Sequence, residues 1–495
     1  MVSTLAFDLG ASSGRAVLGR YDGTKLTITE MHRFPNDPVR IHQHMYWDVL
    51  RLLHEIKQGL IATRLQGQRD IQSIGIDTWG VDFGLLGMHG ELLSNPYHYR
   101  DDHTLGIKAE VCRLISQEEL FTRTGIQFLQ FNTIFQLYAL KKAASPLLDR
   151  AENLLMMPEL LRYFLTGERL SEWSIVSTTQ LGSPYTRTWD RELITKLNLP
   201  AHLFLEPMAP GTRAGTLLPA LCTEVGMEAI PVIAVAEHDT ASAVAAVPAL
   251  EEDFAYMSCG TWSLLGTEIS EPIINAQALQ ENVTNEGGVN GTIRLLKNVT
   301  GLWLIQECRR AWKNAGRQLP YTQEIQLIEQ AQPFRSFIDP DHPMFVNPLD
   351  MPGQIQYYCR QTGQPVPTNE GEILRCIVES LALRYSFVLE SIEKLVHKRF
   401  TRLHIVGGGA QHSALCQFTA NALARPVWAG PREATAIGNV LVQYIALGKM
   451  QDLRQARRVV HDSFPIVEYE PVNTDSWEQA CEKCYRITRR YTALY

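Results

Sequence analysis

TLAFDLGASSGRAVLGRYDGTKLTITEMHRF, running from Thr4 to Phe34, decides how the whole chain is read. Apolar and polar residues alternate through TLAFDL, RAVLGRY and KLTITEMHRF, with a Gly/Ser-rich stretch and an Asp-Gly turn between them. That pattern predicts three strands joined as a β-meander. Asp48 then offers an N-cap, and Val49, Leu52, Leu53, Ile56 and Leu60 recur at helical spacing, so an amphipathic helix lays one face on the sheet. IQSIGIDTWG follows as a buried strand ending in a polar and glycine turn. Further helices are expected from Asn132 to Ala144 and around Pro158 to Leu165. Strands and helices interleaved in this order make an α/β layout.

After residue 250 the pattern starts again. DFAYMSCGTWSLLGTEI reads as strand, small-residue turn and strand, and TIRLLKNVTGLWLIQ as a strand leading into a helix. A long helix from about Glu372 carries Ile373, Ile377, Leu381, Tyr385, Val388, Ile392 and Leu395 on one face, and feeds LHIVGGGAQ, a strand that ends in three glycines. At 495 residues the chain exceeds what one core serves. A proline and an acidic cluster between Val247 and Glu252 interrupt both patterns. The expected domains are residues 1–247 and 248–465, meeting in a cleft, with a helical tail at 466–495.

The composition narrows the class. Hydrophobic residues make up 45% and charged residues 20%, as in a soluble globular enzyme. A net charge of -7, with no basic stripe longer than RITRRY near the C-terminus, argues against a nucleic-acid partner. No run approaches the roughly 20 apolar residues that span a bilayer, so no membrane partner is expected. MVSTLAFDLGASSGR lacks the basic start of a signal peptide, and nine irregularly spaced cysteines suit reduced thiols, which together predict a cytoplasmic location. Cys481 and Cys484 form a CxxC without a second pair, and His42 and His44 form an HxH with no carboxylate or cysteine near in sequence. Neither is expected to hold a metal.

Four strand ends carry small polar turns: DLGASSGR at Asp8 to Arg15, EHDTASA at Glu237 to Ala243, SCGTWS at Ser258 to Ser263, and GGGAQ at Gly407 to Gln411. Glycines let a backbone approach a ligand closely, and exposed amides and hydroxyls suit phosphate oxygens. Each alone is also an ordinary turn. The chain has no GxxxxGK[ST] loop, no GxGxxG opening a helix after its first strand and no kinase HRD and DFG pair, so a nucleotide site must be of another design. Asp239 reads two ways, as the N-cap of a small-residue helix over Thr240 to Val247 or as a base held ionised at that helix end. Arg15 reads as part of a phosphate cradle or as a solvated side chain, and His238 as a donor or a core histidine. Asn298 reads as a turn residue or a ligand, and Trp79 as a stacking surface or core.

DLGASSGR, SIGIDTWGVDFGLL, YRDD at Tyr99 to Asp102, GIQFLQFNTIFQL, EHDTASA, SCGTWSLLG, TNEGG, LKNVTGLWLIQ and LHIVGGGAQ occur in this order from Asp8 to Gln411. In them the chain resembles the FGGY family of carbohydrate kinases. The resemblance implies two actin-like, ribonuclease H-like domains flanking a catalytic cleft, with ATP as co-substrate and magnesium as cofactor. It implies Asp239 as general base and Asp8 as the residue that orients the metal through water. Ala11, Ser12, Ser13, Gly14 and Arg15 would line the phosphate end of ATP, and Thr261, Gln306, Gly408 and Gly409 would hold the nucleotide from the C-terminal domain. Gly80, His238, Asp239, Thr240 and Asn298 would contact sugar, with Trp79, Asp82 and Arg100 as weaker additions. GIDTWGVDF, NTIFQL and TNEGG point, within the family, to phosphorylation of L-rhamnulose at its 1-hydroxyl rather than of glycerol, xylulose or gluconate. The implied partners are sugar and ATP, with the chain a monomer or small homo-oligomer. Another ketose such as fuculose, or a sugar-sensing regulator without turnover, are the competing expectations. One departure stands out: Glu159 to Arg162 replace the Lys and Trp that many members carry after the proline of the segment MMPELLRYFLTG, leaving that segment as packing helix.

Overall fold

The structure, a computed structural model, describes residues 1–492, with side chains through residue 488. The chain divides into two compact units. Met1–Leu250, Glu268–Leu296 and Ala434–Phe464 make up the first, while Glu251–Thr267, Lys297–Glu433 and the segment from Pro465 onward make up the second. Each is built around a sheet of the same plan, in keeping with the α/β class read from the sequence.

In the first unit the strand Val2–Leu9 lies between Ser13–Tyr21, antiparallel to it, and Ile74–Thr78, parallel to it. Leu26–Pro35 extends the sheet on the meander side, and Pro231–Ala234 and Thr212–Thr216 extend it on the other. Leu5, Ala6, Phe7 and Leu9 are all buried, because parallel strands at the centre of such a sheet are covered on both faces. The helix Val49–Leu65 covers part of one face with Leu52, Ile56 and Leu60, and Asp48 caps it by accepting from Arg51 N at 3.1 Å.

In the second unit Ala255–Cys259 plays the part of the central strand. It pairs antiparallel with Trp262–Ile269 and parallel with Leu403–Val406, after which Val427–Ala429 and Val467–Tyr469 follow. The long helix is Glu370–Val396, capped by Asn369, whose side chain accepts from Glu372 N at 3.0 Å. Its Ala382 and Leu383, with Phe337, pack against Trp477, Ala480 and Cys484 of the last helix, Thr474–Thr492. RITRRY runs in that helix, with its side chains from residue 489 on, like the last residues of the tail from 493, outside the described residues. Among the described residues, no helix is long and apolar enough to cross a membrane.

A helix late in sequence completes the first unit. Ala434–Ala446 packs on the sheet, where Gln443 Nε2 donates to Leu5 O at 3.1 Å and Gln443 Oε1 accepts from Ser73 Oγ at 2.7 Å. It also crosses the short helix Asp239–Ala245 so closely that a Cβ on Gly438 would lie 1.7 Å from Ser242 O. Only glycine allows that approach of two backbones. Gly438→Ala is therefore expected to cost about 1–3 kcal/mol or more through overpacking, read as a lower denaturant midpoint at unchanged slope.

Candidate functional site

The parallel register of the first sheet sets Asp8 directly beside Asp77 at the strand ends, and the antiparallel register sets Asp8 opposite Arg15. Arg15 is not a solvated side chain. Its Nε and Nη2 both donate to Asp8 Oδ2, at 2.9 and 2.7 Å. Asp77 is fully buried, receives Asn439 Nδ2 on Oδ2 at 2.5 Å, and has no partner on Oδ1. Burial, reinforced by the charge of Asp8, holds its pKa well above the usual carboxylate range.

The phosphate-type turn over Gly10–Ser12 is stapled by a residue the sequence reading passed over. Asn36 donates through Nδ2 to Gly10 O at 2.8 Å and through its backbone N to Ser12 O at 3.1 Å. Ser12 is exposed and Ala11 and Ser13 are half-buried, so this backbone is accessible. Gly14 is different: a Cβ there would fall 2.2 Å from the ring of Phe34, which makes it a packing glycine.

Asp239 begins its helix rather than capping it. The N-cap is His238, with extended φ/ψ and no side-chain cap bond, and Asp239 is the first helical residue. Its Oδ1 accepts from Thr240 N at 2.6 Å and from Thr240 Oγ1 at 3.2 Å. The carboxylate stays 28% exposed and faces His238 Nε2 at 3.5 Å. Loss of hydration raises its pKa, and the nearby Asp8 charge adds to the rise while His238 opposes it. His238 is neither a plain core histidine nor a lone donor: Arg294 Nη2 lies 3.1 Å from its Nδ1, and Glu286 Oε2 lies 3.2 Å from the same atom.

Gly80 sits in a tight turn, Trp79–Asp82, in which Val81 adopts φ 68°, a strained conformation for a β-branched residue. Thr178 Oγ1 accepts from Val81 N at 3.1 Å, and Thr133 Oγ1 donates to Val81 O at 2.6 Å. Asp82 anchors the turn from inside. It accepts from Trp47 Nε1, Trp79 Nε1, Gln136 Nε2 and Tyr99 N, and burial nevertheless pushes its pKa up to about 7. Trp79 lies in the core with its ring centroid 3.9 Å from that of Trp47. Trp79 and Asp82 thus hold the turn and leave its backbone to meet a ligand. Arg100 is buried beside the Tyr99 ring.

In the second unit Thr261 and Gln306 come together, with Thr261 Oγ1 donating to Gln306 Oε1 at 3.3 Å. The turn that bears Thr261 is clasped by the start of the helix Trp303–Asn314, since Leu302 N donates to Gly260 O at 3.0 Å and Trp303 N to Thr261 O at 3.2 Å. Of the three glycines after Leu403–Val406, the two read as nucleotide contacts differ. Gly408 has open space where a Cβ would stand, whereas on Gly409 it would lie 2.1 Å from Cys259 Sγ. Gly409 therefore serves the packing of the two strand ends. Asn298 is half-buried on Ile293–Thr300, near the end of that strand.

The donors around Asp8 suit a hard dication such as magnesium, which takes oxygen ligands and keeps waters: a carboxylate engaged by Arg15 on one oxygen, and beside it the partnerless Asp77 Oδ1. No group of three or more His, Cys, Asp or Glu among the described residues encloses an ion, so such a metal would be carried largely by phosphate and water. His44 does have a carboxylate, brought from far along the chain. Asp101 Oδ1 lies 3.1 Å from His44 Nδ1 and 2.9 Å from His103 Nδ1.

Comparison with known proteins covers most of the chain. Residues 3–246 match the N-terminal domain of the FGGY family of carbohydrate kinases, and residues 255–447 match its C-terminal domain. A rhamnulokinase of Bacteroides thetaiotaomicron is 46% identical over 96% of this chain and 97% of its own, and one of Bacillus subtilis is 41% identical over 95% and 96%. Among solved structures, a ligand-bound xylulose kinase from Lactobacillus acidophilus superposes with a TM-score of 0.82 at 16% identity, covering 100% of this chain and 99% of that one. A Plasmodium falciparum glycerol kinase with ADP gives a TM-score of 0.74 at 14% identity, covering 98% of each.

Behind His238 lies a group the sequence reading missed. The segment Met157–Thr166, expected only to pack, carries Glu159 and Arg162 into a buried cluster with Glu172 and Glu237. Arg162 Nε donates to Glu237 Oε1 at 2.6 Å, and both side chains are 0% exposed. Glu172 Oε2 accepts from Ser174 Oγ at 2.6 Å, and Ser174 Oγ accepts from His238 N at 3.2 Å. The cluster thus holds the backbone that presents Asp239. Three carboxylates share one guanidinium, and burial raises the pKa of all three, those of Glu159 and Glu172 to about 8. The folded state therefore binds more protons than the unfolded chain between about pH 4.5 and 8, so stability falls as pH rises through that window. Glu237→Gln keeps the oxygen that Arg162 uses and replaces Oε2, which has no partner. It is expected to flatten this loss, measured as denaturation midpoints from pH 5 to 8.5.

Proposed function

The chain belongs to the FGGY family of carbohydrate kinases, and on that premise we propose that it transfers the γ-phosphoryl group of ATP to the 1-hydroxyl of L-rhamnulose, releasing L-rhamnulose 1-phosphate and ADP in L-rhamnose catabolism. The observation that carries the mechanism is Asp239: a partly accessible carboxylate whose Oδ1 is fixed by Thr240 N and whose pKa burial raises above the usual carboxylate value.

Asp239 takes the proton of the 1-hydroxyl through Oδ2 while the sugar oxygen bonds to the γ-phosphorus and the bond to the β-phosphate oxygen breaks. Gly80, His238, Thr240 and Asn298 bind the sugar. Ala11 to Arg15, Thr261, Gln306, Gly408 and Gly409 bind ATP, with Gly408 offering backbone at open space and Gly409 holding the strand ends together. Asp8, kept in place by Arg15, would hold Mg²⁺, which would supply neutralisation of phosphate charge. The reading makes the protein a monomer or small homo-oligomer whose partners are sugar and ATP, and a cytoplasmic one, a location that its nine free cysteines support.

ADP release measured over a panel of ketoses is expected to give the highest kcat/KM with L-rhamnulose, and a clear preference for another ketose such as fuculose would overturn the substrate. Asp239→Asn retains an oxygen for Thr240 N but cannot accept the proton, so kcat is expected to fall by about 10² or more with stability little changed. Wild-type turnover in that variant would refute the base.

Gly408→Ala is expected to fold normally and to raise KM for ATP severalfold. Gly409→Ala, which drives a methyl into Cys259, is expected to lower the unfolding midpoint as well.

A further inference from the structure

The TNEGG stretch supplies a strand, Thr284–Gly287, whose Glu286 is almost wholly buried in the first unit. Opposite it in antiparallel register is Arg294, whose side chain is 0% exposed. Arg294 Nε donates to Gly287 O at 2.9 Å, and its Nη2 lies 3.1 Å from both Glu286 Oε2 and His238 Nδ1. The guanidinium is therefore fixed from two sides and aims one N–H at the imidazole.

A guanidinium is always a donor and never an acceptor. The bond from Nη2 is aligned with Nδ1, whereas Glu286 Oε2, although 3.2 Å from the same nitrogen, makes no aligned hydrogen bond. An N–H on Nδ1 would point at the N–H of Arg294. Nδ1 is accordingly the acceptor, and the proton of a neutral ring sits on Nε2, the nitrogen that faces Asp239 Oδ1 at 3.5 Å.

We propose that Arg294 and Glu286 are positioning residues that lock His238 in the Nε2–H tautomer, so that its one donor is turned to Asp239 and the sugar hydroxyl beside it. Arg294 sets the tautomer, and Glu286 supplies the counter-charge that lets an arginine be buried there. The inference rests on Asp239 being the base of the transfer reaction, and it gives the TNEGG stretch a chemical role.

The test uses the full chain labelled with ¹⁵N-histidine, with the His238 signals identified by their loss in His238→Asn. A two-bond ¹H–¹⁵N spectrum near pH 8 is expected to show protonated Nε2 and bare Nδ1 for His238. The charge-neutral double variant Arg294→Met with Glu286→Gln is expected to shift that ring to a tautomer mixture. It should lower kcat on the order of tenfold with KM for ATP unchanged, and should change kcat less than twofold in a His238→Asn background. A wild-type ring protonated on Nδ1, an unchanged tautomer in the double variant, or full additivity with His238→Asn would overturn the proposal. If the double variant does not fold, the wild-type tautomer alone decides. The spectrum is read without turnover, so a failure of the kinase reading and a failure of this one are distinguishable.

Discussion

Crowding of negative charge at the end of a buried sheet is the constraint on which the first unit depends. Strand register alone forces Asp8 beside Asp77, and the strand Pro231–Ala234 of the same sheet leads to Asp239, so three carboxylates converge where burial already disfavours ionisation. Such an arrangement persists only if each group is paired, hydrogen-bonded or protonated. The structure pairs or hydrogen-bonds each of the three. Arg15 neutralises Asp8 across the hairpin, Asn439 supports Asp77 from a helix more than 350 residues away in sequence, and Asp239 is braced by Thr240 and faced by His238.

The same logic recurs one layer behind. Glu159, Glu172 and Glu237 outnumber Arg162, and burial raises the pKa of each, so that protonation can do what pairing cannot. Removing Arg162 would leave the carboxylates without their one cation, the situation in which breaking a buried pair costs about 3–5 kcal/mol. The cluster is joined to the residue before Asp239 through hydrogen bonds, from Glu172 to Ser174 to the backbone of His238. Electrostatics in the core and geometry at Asp239 are therefore one problem.

Much of the fold was legible because it is local. The alternation of Leu5, Phe7 and Leu9, the Asp48 cap and the stripe along Glu370–Val396 are patterns within ten to thirty residues, and the structure contains each. The glycine and hydroxyl turns were legible as types but not by function. Gly14 and Gly409 are filled by Phe34 and Cys259, and Gly408 is open, a distinction set by neighbours that arrive from other strands or later in the chain. Asn36, Asn439, Arg162 and Arg294 were not found for the same reason, since each acts on a residue tens to hundreds of positions away and has no spacing to betray it. One signal was present: Glu159 and Arg162 stood where the family pattern carries other residues, and that is where the buried cluster lies.

Asp239 does not hold the cap position of its helix. His238 occupies it, yet its side chain makes no cap bond, so the helix forgoes the roughly 1 kcal/mol that a capping Asp, Asn or Ser would contribute. What replaces that bond is a ring with Nδ1 tied to Arg294 and Nε2 facing Asp239. Asp239, displaced by one residue, accepts the Thr240 amide on Oδ1. A stronger cap at position 238 would stabilise the helix and remove the one donor that the buried arginine has been arranged to orient.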